Sequence, residues 1–209
     1  MKNLSSKSGG TVTLYAVWKP YTYTVKFNKN GGTGSMVKQA VNCGVKTALA
    51  TNAFTRAGFK FAGWATKKGG KVEYKNKAKV KDLAKKGKSV TLYAVWYPAD
   101  WAVGTFTGAG AIGNTKVKKR KAATVTLTVG STGKISGKFV LESGKSYSFK
   151  ADAFTEFKDG ALCVETTISY GSKKCALLIA VSQDEVAGST VADLLVTYKG
   201  KEYGEASLK

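Results

Sequence analysis

One seven-residue sequence occurs twice in the chain and constrains its fold more than any other feature. Val-Thr-Leu-Tyr-Ala-Val-Trp occupies residues 12–18 and recurs letter for letter at residues 90–96, an offset of 78 positions. Pro20 and Pro98 each stand two positions after the tryptophan of one copy. Alternate residues of a strand face opposite sides, and both sides are largely apolar here, so we expect a strand covered on both faces. An identity of this length at a fixed offset indicates a duplicated structural unit.

The duplication suggests a division of the chain. We expect residues 1–20 to be the last strand of a preceding repeat in a longer array, residues 21–98 to be one repeat unit, and residues 99–209 to be a separate β domain. Pro98 favours the boundary, because a proline cannot donate a ladder hydrogen bond and restricts the backbone of the residue before it. The two cores are expected to join near residues 97–101.

Short alternating segments bounded by turn residues predict the strands of residues 21–98. The predicted strands are residues 21–27, 37–47, 59–64, 71–74 and 90–96. Residues 28–34 are rich in Asn and Gly, which accept positive φ, and are predicted to form a turn. A short helix is expected at residues 48–56, with Leu49 and Phe54 turned inward, and a single helical turn at residues 80–84.

Three blocks of residues 21–98 follow one another in a specific order. They are Tyr23–Phe27 with Asn30–Gly32, then Phe54–Trp64, then Val90–Trp96. This order and content resemble the Listeria–Bacteroides repeat, the B-repeat class of internalin-type and other bacterial surface proteins. The resemblance implies a small β-grasp-like (α+β) domain that is used in tandem between other modules of exported proteins.

Residues 99–209 show a different pattern, with turn signals every eight to twelve residues. Eight alternating segments predict strands at residues 103–108, 123–129, 134–141, 145–153, 161–170, 174–182, 191–198 and 201–206. Short strands at this spacing favour an antiparallel β-sandwich or a small β-barrel of about eight strands. The chain as a whole is therefore predicted to be mainly β.

Positive charge is concentrated in the predicted repeat unit. The net charge is +21, and residues 21–98 carry sixteen basic residues against only Glu73 and Asp82. Ten lysines lie close together in the sequence: Lys67, Lys68, Lys71, Lys75, Lys77, Lys79, Lys81, Lys85, Lys86 and Lys88. We call them the lysine tract. In an extended chain, the four from Lys75 to Lys81 would line one face at about 7 Å spacing and could meet a linear polyanion. The alternative is a solubilising surface whose lysines prevent edge-to-edge strand pairing.

Aromatic residues offer a further choice between core and binding platform. The residues concerned are Trp18, Trp64, Trp96, Trp101, Phe59 and Phe61. Bases or sugars could stack on such rings, but alternation among apolar residues favours core packing.

No combination of residues predicts catalysis, a cofactor or a metal site. The chain has no histidine, which removes histidine-based triads and the commonest zinc ligand. A two-residue hairpin turn at residues 171–172 would place Cys163 opposite Ala180 and Cys175 opposite Ile168, on opposite faces. No disulfide is therefore expected between Cys163 and Cys175, and all three cysteines are predicted to be buried thiols.

These observations predict a non-catalytic module of a bacterial cell-surface or secreted multi-repeat protein, which acts as a stalk or spacer and in adhesion or protein interaction. The alternative is a polyanion-binding module for an anionic glycan, a cell-wall polymer or nucleic acid. The expected location is extracellular, with the signal and anchor outside this chain and no membrane insertion in it, since no apolar stretch is long enough to span a bilayer. Expected partners are neighbouring repeats and surface glycans, proteins or other polyanions.

The first copy of the repeated sequence has no partner strands of its own. Residues 11–18 should either lie on the next unit as an added edge strand or recruit a second molecule by strand exchange. We therefore expect concentration-dependent self-association through this segment.

Overall fold

The computed structural model describes residues 8–184 and 188–209, so the first seven residues of the predicted segment 1–20 lie outside it. Within the described residues the chain forms fifteen β-strands, two three-residue 3-10 helices and no α-helix. The predicted mainly β class is confirmed.

A mixed four-stranded sheet forms the centre of residues 21–98, which we call the repeat unit. In spatial order its strands are β2 (Gln39–Asn42), β1 (Thr22–Asn28), β6 (Ser89–Pro98) and β4 (Phe59–Ala65). The central strands β1 and β6 are parallel, and both outer strands pair antiparallel with their neighbours. A small second sheet joins β3 (Thr47–Ala48) to β5 (Lys79–Val80).

The second copy of the repeated sequence lies inside β6 and is covered as predicted. Leu92 and Ala94 are fully buried on one face, while Tyr93 and Val95 are half-buried on the other. The Asn30 side-chain amide also donates to the Ala94 carbonyl oxygen at 2.8 Å. The burial of one face and the partial burial of the other explain why this sequence is apolar on both sides.

The first copy behaves differently. Residues 11–18 form no strand, and the Trp18 side chain is 87% exposed. The expectation that this segment lies on the next unit as an added edge strand is therefore wrong. Strand exchange with a second molecule stays a prediction. Sedimentation at several protein concentrations should show self-association of the full-length chain and none after deletion of residues 1–19. A full-length chain that is monomeric at every concentration would contradict the prediction.

The helix expected at residues 48–56 is absent, although Leu49 and Phe54 are buried as predicted. Side chains satisfy the backbone in place of helical hydrogen bonds. The Gln39 side chain bonds Ala48 and Ala50, and the Asn52 side chain both donates to the Phe54 carbonyl and accepts from its amide. Such local bonds compete with helix formation.

Three further predictions for the repeat unit are wrong. Residues 80–84 form no helical turn, and Asp82 instead adopts a positive φ of 51°. Residues 37–47 do not form one strand, because a turn at Gly44 separates β2 from β3. Residues 71–74 contribute only one bridge, between Tyr74 and Trp64.

A single antiparallel sheet of nine strands forms residues 99–209. The strands in chain order are β7 (Gly104–Ile112), β8 (Lys121–Val129), β9 (Ile135–Leu141), β10 (Ser146–Ala151), β11 (Glu156–Lys158), β12 (Ala161–Tyr170), β13 (Lys173–Gln183), β14 (Thr190–Tyr198) and β15 (Lys201–Leu208). The sheet order is β10-β9-β8-β7-β15-β14-β13-β12-β11, so the first and last strands pair with each other.

This sheet curls like a barrel around its core. Near its two edges, the Thr166 hydroxyl of β12 donates to the Lys150 carbonyl of β10 at 2.7 Å. We therefore call the nine-stranded sheet the barrel. All eight predicted strands are present, and the short strand β11 was missed. Strand β7 also continues four residues past its predicted end at residue 108, because the small residues there still pair with β8.

The buried hydrophobic residues form two clusters. The smaller one surrounds Trp64 in the repeat unit, and the larger one fills the barrel. Several contacts connect the two parts: Phe59 packs against the barrel cluster, Lys60 pairs with Asp100, and the Ala99 amide donates to the Gly58 carbonyl at 2.9 Å. The division into two domains at residue 98 stays a prediction.

Candidate anion-binding surfaces

The ten side chains of the lysine tract are all exposed. The backbone that carries them is not one strand, so the expected row of four ammonium groups is wrong. Lys75 to Ala78 form a turn in which Lys77 has a φ of 59°, and only Lys79–Val80 is strand. The tract therefore presents its charges from turns and loops of the repeat unit.

The two acidic residues of the repeat unit accept hydrogen bonds from backbone amides and a hydroxyl group and form no ion pair with the tract in the described residues. The Glu73 carboxylate accepts hydrogen bonds from the Thr66 amide at 2.8 Å and the Thr66 hydroxyl at 2.7 Å, and these bonds lower the pKa of Glu73. The Asp82 carboxylate accepts from the Gly44 amide at 2.7 Å. Within the described residues, no lysine of the tract forms an ion pair.

A cleft of about 980 Å³ lies where the repeat unit meets the barrel; we call it the junction cleft. The repeat unit contributes Asn30, Arg56, Lys71, Trp96 and Tyr97 to its lining, among others. The barrel contributes residues of two loops, which are Thr132, Lys134, Asp152 and Ala153. Three of the lining side chains are cationic and one is acidic.

Arg56 is held in a defined position at this cleft. Its Nη2 donates to the Thr155 carbonyl oxygen at 3.0 Å, and its guanidinium carbon lies 3.8 Å from the centre of the Phe59 ring. The residue is half-buried, and this burial lowers the pKa of its guanidinium. The described part of the chain supplies no acidic partner for it.

The chain's other arginine is a useful comparison. The Arg120 side chain is only 2% exposed, and its Nη1 lies 2.6 Å from a Glu202 carboxylate oxygen and 3.1 Å from one of Glu205. The two carboxylates of β15 therefore neutralise the positive charge of Arg120. The sequence analysis did not single out Arg56. The feature that could have pointed to it is that the 34 basic residues of the chain include only these two arginines.

The tryptophans follow the predicted core role in three of four cases. Trp64 is fully buried. Trp96 packs against the cluster of the repeat unit, and Trp101 packs against the cluster of the barrel. The Trp96 indole nitrogen donates to the Lys29 carbonyl at 3.0 Å. The exposed Trp18 does not fit the prediction.

The three cysteines are free thiols, and the predicted hairpin register is confirmed, with Cys163 opposite Ala180 and Cys175 opposite Ile168. Only Cys175 is fully buried, so the prediction of three buried thiols is wrong for Cys43 and Cys163. Burial raises the pKa of the Cys163 and Cys175 thiols, which keeps them protonated and weakly nucleophilic.

The described residues contain neither a metal-binding cluster nor a membrane-spanning helix. No group of three or more acidic or cysteine residues in them could hold a metal ion. No helix in residues 8–184 or 188–209 has the length and apolar character needed to cross a membrane.

Comparison with known families matches one part of the chain. The family model of the Listeria-Bacteroides repeat domain matches residues 23–95, which confirms the resemblance found in the sequence. No curated protein and no solved structure matched the chain. The match indicates a repeat module of a kind typical of bacterial surface proteins, in a family whose domains are typically non-catalytic structural modules.

Proposed function

We propose that this chain, whose residues 23–95 are a Listeria-Bacteroides repeat, is a non-catalytic module displayed outside a bacterial cell. It acts as a spacer in a repeat array and presents the barrel for adhesion or protein interaction. The observation that carries the proposal is the family match, reinforced by the recurrence of residues 90–96 at residues 12–18. Neighbouring repeats are its first partners.

The test of the proposed location is antibody labelling of bacteria that produce the parent protein. An antibody against the barrel should label intact cells, or detect the protein in the medium, as strongly as it labels permeabilised cells. A cytoplasmic protein serves as the control and should be labelled only after permeabilisation. Labelling of the barrel that requires permeabilisation would contradict the proposal.

A second candidate function is polyanion binding by the lysine tract. Its support is the exposure of all ten lysines together with the absence of ion pairs to them within the described residues. Unpaired cations concentrate a polyanion and release its counterions on binding, so the affinity should fall steeply as salt rises.

We expect replacement of Lys75, Lys77, Lys79 and Lys81 by glutamine to lower the salt concentration at which the protein elutes from heparin. The physical reason is that binding by counterion release depends on the number of cations that contact the polymer. The measurement is the salt concentration at which the wild type and the variant elute.

The matched control removes four exposed lysines of the barrel region, Lys118, Lys119, Lys121 and Lys138, and so changes the net charge equally. Its elution should stay close to that of the wild type. An equal decrease of the elution salt concentration in both variants would show that only the total charge matters. Unchanged elution of the variant with glutamine in the lysine tract would exclude the tract as a binding surface.

A further inference from the structure

We propose that the junction cleft binds an anionic oligosaccharide, with Arg56 as the anchor for its carboxylate or sulfate group. This inference goes beyond the function proposed above, because it assigns a ligand class to a cleft that shares only Lys71 with the lysine tract. The inference does not depend on where in or outside the cell the protein is located.

The first support is the state of Arg56. A half-buried cation has lost part of its hydration, and this loss is costly unless an anion or hydrogen-bond acceptors replace the water. Thr155 occupies one donor nitrogen, while Nε and Nη1 have no partner in the described residues. The contact with Phe59 and the bond to Thr155 fix the guanidinium before any ligand arrives, which reduces the entropy lost on binding.

The second support is the charge around Arg56. Lys71 and Lys134 bring two more cations to the lining from opposite sides of the junction, and Asp152 is the one acid among the lining residues. The cleft therefore carries a net positive charge of two. A guanidinium binds planar oxyanions through paired hydrogen bonds, and lysines add attraction without fixed geometry.

The third support is the size and the uncharged lining of the cleft. A volume of about 980 Å³ is large for an inorganic ion and falls at the upper end of small-molecule pockets. Trp96 and Tyr97 supply aromatic surface, and Thr132 supplies a hydroxyl group. Aromatic surface beside polar groups suits a sugar ring, which has apolar faces and a hydroxylated rim.

The experiment is isothermal titration calorimetry of the full chain with three probes: hexagalacturonate, a chondroitin sulfate hexasaccharide and neutral maltohexaose. We expect saturable binding of one or both acidic probes at one site, at an ionic strength of about 0.15 M, where exposed charges are screened beyond about 8 Å. Chondroitin sulfate carries uronate carboxylates as well as sulfates, so binding of this probe alone assigns sulfate as the anchored group, while binding of both acidic probes with similar affinity assigns the carboxylate. Binding of maltohexaose as tight as that of the acidic probes would overturn the proposal.

Variants then locate the site. Lys134→Gln should weaken binding about tenfold, the usual effect of losing a charged hydrogen-bond partner. Lys138→Gln, on the same hairpin but outside the cleft, should leave the affinity unchanged. Asp152→Asn removes the acid from the lining and should strengthen binding. Equal affinities for Lys134→Gln and Lys138→Gln would overturn the proposal.

Arg56 itself needs a control for folding, because its contacts join the repeat unit to the barrel. Arg56→Gln should lose binding, and Arg56→Lys should not restore it, since an ammonium group cannot reproduce the planar fork. The thermal unfolding midpoint of each variant separates lost affinity from lost structure. Wild-type affinity in a folded Arg56→Gln variant would overturn the proposal.

The lysine tract is tested separately in the same titration. The variant with glutamine at Lys75, Lys77, Lys79 and Lys81 should bind the acidic hexasaccharides as the wild type does. Complete loss of binding in this variant would place the ligand on the lysine tract and overturn the assignment to the cleft.

Discussion

Leu92→Ala should lower the free energy of unfolding of the repeat unit by about 2–5 kcal/mol, the range observed for large cavities in a core. Leu92 is fully buried in β6, between β1 and β4, and belongs to the cluster around Trp64. The alanine leaves a cavity that the paired strands cannot close. Urea unfolding followed by circular dichroism measures the effect.

The chain contains its own control for this substitution. Leu14 occupies the same position in the first copy of the repeated sequence, and its side chain is 73% exposed. Leu14→Ala should change the free energy of unfolding by less than about 0.5 kcal/mol, as is usual for surface sites. A similar loss of stability in both variants would mean that the first copy is packed in a core after all.

The second large effect is expected in the barrel, where Gly137→Ala should destabilise by about 1–3 kcal/mol or more. A Cβ atom at Gly137 would stand 2.3 Å from the Phe149 ring and 2.4 Å from the Thr126 carbonyl oxygen. The neighbouring strand backbone cannot move aside without breaking the ladder between β8 and β9. The thermal unfolding midpoint of the barrel is the measurement.

Gly130→Ala is the matched control on the turn before β9. A Cβ atom there meets nothing closer than 3.5 Å, and Gly130 has no positive φ. Its unfolding midpoint should stay at the wild-type value or rise slightly, because alanine restricts the unfolded chain. Equal unfolding midpoints of the two glycine variants would contradict the prediction that close packing at Gly137 makes a side chain there destabilising.

The barrel was the part of the fold that the sequence predicted best. Its strands alternate apolar and polar residues and are separated by turn residues, so periodicity and turn chemistry agree. Strand β11 (Glu156–Lys158) escaped because all three of its residues are exposed and leave no alternating pattern. The closure between β7 and β15 joins residues about 100 positions apart, and no local signal encodes it.

The repeat unit was predicted less accurately because side chains distant in sequence decide its local structure. Residues 48–56 contain two buried apolar residues, Leu49 and Phe54, and no glycine or proline, but the side chains of Gln39, Asn52 and Asn76 satisfy the backbone there. The lysine tract similarly has the alternation of a strand from Lys75 to Lys81, yet a turn breaks it. Composition therefore located the charge but did not give its geometry.

The junction cleft could not have been found from periodicity. Arg56 and Lys134 are 78 positions apart, and they meet at one cleft because the repeat unit packs against the barrel through contacts that include Phe59 and Arg56. The family match covers residues 23–95 and so contains only one side of this cleft. The ligand proposed for it depends on the combination of the repeat unit with this barrel.

Residues 21–98 close as a repeat unit with their own final strand, while the identical sequence at residues 12–18 forms no strand. Amide hydrogen exchange of the full chain tests this difference when protection is measured separately for residues 12–18 and residues 90–96. Residues 90–96 should exchange at least about a thousandfold more slowly than residues 12–18, since only the former lie in a sheet. Equal protection of the two segments would contradict the account.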